Sequence, residues 1–228
     1  MLIDSITLAS RDDELDLILS GGLSGLGGSS VLPFGVFPDK GITRIGFKPI
    51  TVFSGSSTTP KTLLLRIIAA KLGCKAPNCG MSAECFDEYL KLCVTKYTDF
   101  SRRSDINAVH IAVEQSARYS EQGNSALGLC SEYVLPATVV LLEEPERGLT
   151  LEEQLDLARH IEAMAADGEY QIIMTSVSPV FLGIKNALIY DFDEHPTLPR
   201  AWHESRLARA HVQFLEKLKE DHKYLKNK

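Results

Sequence analysis

The sequence predicts an α/β fold with a mostly parallel sheet flanked by helices. Three observations carry this. Thr138–Leu142 (TVVLL) and Gln171–Thr175 (QIIMT) are continuous apolar runs, as expected of strands buried on both faces. Between them, Leu151, Leu155, Ala158, Ile161 and Met164 recur at helical spacing, and strand–helix–strand implies a parallel pair. Earlier, the strand-like run Ile50-Thr51-Val52-Phe53 ends in a polar turn. A helix follows it, with Leu63, Leu64, Ile67, Ile68 and Leu72 on its apolar side.

The remaining elements follow in chain order. Ser20–Ser30 is rich in Gly and Ser and reads as a connector. Ile45-Gly46-Phe47 and Pro49 lead into the strand at Ile50, and Gly73 stops the helix after it. Residues 74–130 read as a helical insert. Ser82 would cap a helix carrying Phe86, Tyr89, Leu90 and Cys93 on one face. Ser104 or Asp105 would cap a second, with Ile106, Val109 and Val113 on one face. Thr150 with Glu153 forms a capping box at the start of the long helix, and Gly168 ends that helix. Ala187–Tyr190 is a third buried strand. The tail from about 203 to 226 carries Leu207, His211, Phe214, Leu218 and Leu225 at helical spacing and forms an amphipathic closing helix. Trp202 with Pro199 is expected to pack the chain after the last strand.

Composition narrows the function. With 228 residues, the chain suits one domain spanning 1–228. Hydrophobic residues make up 44% and charged residues 24%, enough for a sizeable core. The net charge of −6, from 24 Lys+Arg against 30 Asp+Glu, speaks against a nucleic-acid partner. No stretch approaches the ~20 apolar residues of a membrane span. The start, Met1-Leu2-Ile3-Asp4-Ser5, lacks the pattern of a signal or transit peptide, and the five cysteines are an odd number. A cytoplasmic protein with reduced thiols is expected. Cys74, Cys79, Cys85 and Cys93 lack the paired spacing of a zinc site, so no structural metal is expected. Cys130 reads as core, and His160 as partly exposed.

Two motifs carry chemistry. Gly55–Thr62 (GSSTTPKT), between strand and helix, matches the phosphate-binding pattern G-x-x-x-x-G-K-[S/T] at its first Gly, its Lys and its hydroxyl residue. Gly55, Ser56, Ser57, Thr58, Thr59, Pro60, Lys61 and Thr62 are thus the candidate nucleotide loop. Lys61 would reach the phosphates and Thr62 would ligate Mg²⁺. Pro60 stands at the second Gly and lacks a backbone N–H, in a loop that works through its N–H groups. The second motif is Val139–Glu146 (VVLLEEPE), an apolar strand that delivers Glu143 and Glu144 at its C-terminal end, where open sheets bind ligands. One acid can support Mg²⁺ and the other can polarise an attacking water.

On these residues the chain resembles the small bacterial ABC-type AAA family ATPases, P-loop NTPases related to the ATPase heads of ABC transporters and SMC/Rad50 proteins. Leu32–Pro38 resembles the segment that opens the family's domain, and Ile50–Ala69 its strand, phosphate loop and helix. Leu141–Leu155 (LLEEPERGLTLEEQL) resembles the extended Walker B and D-loop. Ile172–Leu182 (IIMTSVSPVFL) resembles the switch segment, and Ile189–Asp193 (IYDFD) the final strand. The resemblance implies Mg-ATP as cofactor, Glu143 at the Mg²⁺-supporting position and Glu144 as the general base. It also implies a head-to-tail homodimer, or pairing with a homologue, in which a signature loop at Gln122, Gly123 and Asn124 caps the partner's ATP.

The departures from the family pattern are as specific as the matches. Ser56, Thr58 and Pro60 stand at three glycines of the family loop, where a side chain or a missing N–H interferes with phosphate. Glu143 replaces the Walker B Asp. Val177 stands where the switch His would contact the γ-phosphate. Glu121 precedes the signature residues, and Ser120 is one place off register. Losing one transition-state donor typically costs ~10²–10³ in rate. The expectation is a degenerate ATPase homologue with weak or no hydrolysis. The alternative is a non-catalytic scaffold or regulatory module that keeps the ATPase fold. A DNA-associated ATPase head is a third reading, and the acidic charge speaks against it.

Overall fold

The computed structural model describes residues 1–20, 33–74, 83–99, 104, 106–112 and 135–226, the last four as backbone only. The main sheet has six strands in the order β5 (Asn107–Ala112), β6 (Thr138–Glu143), β7 (Tyr170–Thr175), β3 (Ile50–Ser54), β8 (Leu188–Asp191) and β9 (Pro199–Arg200). Every pairing in it is parallel except the short β8–β9 edge. A second sheet joins β1 (Ile3–Thr7) antiparallel to β2 (Arg44–Gly46) and β4 (Val94–Tyr97). The helices are α1 (Arg11–Leu19), α2 (Lys61–Lys71), α3 (Ala83–Leu92), α4 (Leu151–Ala166), α5 (Pro179–Leu182) and α6 (Arg206–Lys226). The architecture is therefore α/β, with a mixed, mostly parallel sheet flanked by helices. Among the described residues, no helix is long and apolar enough to cross a membrane.

Alternate side chains of the central strands feed two cores. Phe53, Leu141 and Ile173 point to the face covered by α2, whose Leu64, Leu65, Ile67 and Ile68 are buried. Val52, Leu142 and Met174 point to the other face, covered by α4 through Leu157, Ala158 and Ile161 and by α5 through Phe181 and Leu182. The capping box of Thr150 and Glu153 forms as expected, with the Thr150 N–H bonded to Glu153 Oε2 at 2.7 Å. The buried stripe of α4 is shifted from the expected one. Leu151 and Leu155 are exposed, and Leu157 takes their place.

The helical reading of 74–130 holds only in part. Helix α3 forms, with Tyr89 fully buried and Cys85 and Cys93 in the core. Its cap at Ser82 lies outside the described residues, as do Cys79, Val113, Cys130 and most of the Ser20–Ser30 connector. The stretch with Ile106 and Val109 is not a helix. Asn107–Ala112 is an edge strand, in parallel register with β6 from Asn107↔Thr138 to Ala112↔Glu143. Ala108 faces the first core, while Val109 and Ile111, both β-branched, pack against the second. Long-range pairing to β6 overrode a local helical spacing.

One buried side chain ties the two sheets together. Gln171 is fully buried in β7. Its Oε1 accepts from the N–H groups of Leu2 and Ile3 at 2.9 and 2.8 Å, and its Nε2 donates to the carbonyls of Ile3 and Lys48 at 2.9 and 3.2 Å. Tyr190 makes a second tie, accepting from Gly46 N at 3.1 Å and donating to Gly46 O at 3.0 Å.

Candidate functional site

The strands β6, β7 and β3 are neighbours, so their C-terminal ends bring Glu143 and Glu144, the Val177 segment and the Gly55–Thr62 loop to one edge of the sheet. This is the edge where open α/β sheets bind ligands. Gly55 opens the loop at φ +139°, and a Cβ there would stand 3.0 Å from Thr59 Oγ1 and 3.2 Å from Phe192 Cβ. Conformation and space both require glycine at this point.

The interior of the loop is already bonded. The backbone N–H of Ser56 donates to Asp193 Oδ2 at 2.9 Å, and its hydroxyl donates to Asp193 Oδ1 at 2.8 Å. That hydroxyl also lies 3.1 Å from Thr58 Oγ1. The Ser56 carbonyl accepts three further bonds, from Thr59 N at 3.1 Å, Thr59 Oγ1 at 2.7 Å and Lys61 Nζ at 3.0 Å. Lys61 is only 2% exposed, so its ammonium faces its own loop. Pro60 stands at the N-cap of α2 with no side-chain cap. Ser57 is exposed at the tip, and Thr62 sits half-buried in the first turn of α2. A charged acceptor on two donors makes a stronger clasp than a neutral one would.

The two glutamates after β6 have different surroundings. Glu143 is gripped by Arg66 of α2, whose Nε and Nη2 donate to the two carboxylate oxygens at 3.2 and 2.9 Å. The buried His110 ring of β5 brings Nε2 within 3.5 Å of the same carboxylate. Burial alone would raise the Glu143 carboxyl. The close His110 ring, together with the hydrogen bonds and charge of Arg66, outweighs burial and holds it below the ordinary glutamate value. Glu144 adopts a left-handed backbone, φ +47°. Its N–H is shared between Thr175 O at 3.0 Å and Thr175 Oγ1 at 3.1 Å, and its carboxylate pairs with Arg147 at 3.1 Å. Glu146 Oε1 accepts from Val177 N at 2.7 Å and so braces the switch-like segment. The Val177 side chain is exposed and offers no polar group.

In this arrangement several groups that Mg-ATP would need are already engaged with the protein itself. Asp193 holds the Ser56 N–H that a phosphate would need, and its carboxylate would repel a phosphate placed beside it. Arg66 neutralises Glu143, the carboxylate expected to support the metal. The other expected metal residue, Thr62, stands alone in that role without it. Gln122, Gly123 and Asn124 lie outside the described residues.

Asp193, Arg66, His110 and Glu146 were not singled out by their sequence positions. Asp193 lies 137 residues from Ser56, so no local spacing could have linked them. No protein-family model matches the chain, and no curated protein matches it.

Proposed function

We propose that the chain is a degenerate homologue of the ABC-type ATPases that keeps the strand–loop–helix framework but does not hydrolyse ATP, and acts as an interaction module. The supporting observation is the Asp193 carboxylate, bonded inside the loop to both the N–H and the hydroxyl of Ser56. A loop that supplies its own anion has no need of a phosphate to satisfy its donors. The pairing of Glu143 with Arg66 and the apolar Val177 point the same way. The natural partner is a second copy or a homologue with an intact site, met through the loop edge of the sheet.

A second reading keeps ATP binding without turnover. It is favoured by Lys61 and Thr62, which open the helix after β3, and by Glu144, which follows β6 at the same edge of the sheet. Phosphate release from saturating Mg-ATP tests the shared claim. The expected result is no release above a chain carrying Glu144→Gln. A rate abolished by Glu144→Gln would overturn the proposal and restore an enzyme.

A further inference from the structure

A cleft of about 290 Å³ opens beside the loop, lined by Ser54 and Ser56, by Asp191 and Asp193, and by Arg206 and Leu207 of α6. Two groups in it are unusual for a folded interior. Ser54 is fully buried, and its hydroxyl has no hydrogen-bond partner. Buried hydroxyls almost always find one. Asp191 is 2% exposed, and among the described residues its side chain accepts only the N–H of Asp193, at 3.1 Å. Among the described residues no cationic side chain pairs with Asp191, although Arg206 lines the same cleft from the surface. Buried carboxylates are ordinarily paired with a cation or coordinated to a metal, because an uncompensated charge is expensive away from water.

We propose that this cleft is a site for a hard divalent cation, held by the Asp191 carboxylate and the Ser54 hydroxyl with the Asp193 carboxylate at its edge. The donors are all oxygen, and the lining contributes neither sulfur nor imidazole. That set suits Mg²⁺, Mn²⁺ or Ca²⁺, with water completing the coordination, rather than a thiophilic metal. The ion would satisfy the orphan hydroxyl and offset the buried charge together. This inference does not depend on nucleotide binding, since neither Glu143 nor Thr62 lines the cleft.

Titration of the full chain with Mn²⁺ in the absence of nucleotide, read by electron paramagnetic resonance, tests the site. One bound Mn²⁺ per chain is expected. Asp191→Asn, which keeps the shape and removes the charge, should weaken it at least about tenfold. Ser54→Ala should weaken it several-fold. Arg206→Gln removes an exposed positive charge from the rim without touching the core, so it should tighten a cation and would loosen an anion. No bound Mn²⁺ up to millimolar concentration overturns the proposal. So does binding that Asp191→Asn leaves unchanged in a chain folded by circular dichroism, or binding that Arg206→Gln weakens.

Discussion

Glu144 adopts a backbone conformation that side-chain-bearing residues adopt at a cost of roughly 1 kcal/mol. Asparagine tolerates it better, so Glu144→Asn should stabilise the fold by about 0.5–1 kcal/mol in urea denaturation. The Arg147 contact it loses is largely exposed on the arginine side and contributes little. Arg66 behaves in the opposite way. Its guanidinium and Glu143 are 17% and 15% exposed, so Arg66→Ala leaves a carboxylate half-stripped of water and should cost about 2–4 kcal/mol. The folded value of Glu143 lies below its ordinary 4.5, so this contribution is complete above that pH and lost as pH falls through the folded value. The gap between the two proteins in urea midpoint should therefore be widest near neutral pH and narrow on acidification, as Glu143 is protonated first in the variant, where burial is no longer offset by Arg66, and then in the intact chain.

At the scale of elements, the main sheet was legible because β3, β6, β7 and β8 are short apolar runs with clear turns between them. The Thr150 and Glu153 capping box was legible because both partners lie within one turn. What escaped was non-local. The edge strand β5 looks helical until β6 is set beside it, and β1 and β4 have no partner in their own neighbourhood. The Gln171 tie is of the same kind, since its partners Leu2 and Ile3 are 169 and 168 residues away. Gln171→Leu would leave two N–H groups and two carbonyls with weakened bonding in a buried place. It should cost about 2–4 kcal/mol, with amide exchange accelerating first in β1. Helix α6 is the contrasting case. Phe214 is 58% and Leu215 55% exposed, and among its described side chains those that are buried or half-buried, Leu207, Ala208 and His211, all lie in its first turns. Phe214→Ser should therefore shift unfolding stability by less than about 0.5 kcal/mol in urea denaturation.

For the whole molecule, the central question is what the loop at the sheet edge binds. A parallel sheet still delivers a lysine-bearing loop, two glutamates and a switch-like segment to one edge, and that much could be expected from the motifs in order. How each is occupied could not, because Asp193, Arg66 and Glu146 reach the site from distant parts of the chain. Ser56, Pro60 and Val177 led to the expectation of few phosphate contacts, and in the folded loop the Asp193 carboxylate is bonded to Ser56. The most direct measurement is calorimetric titration of Mg-ATP into the intact chain and into Asp193→Ala, with light scattering to follow mass. The intact chain should give no heat and no mass change up to millimolar ATP, while Asp193→Ala gains measurable binding. Low-micromolar binding by the intact chain, at the affinity of Asp193→Ala, would contradict a loop closed by its own anion.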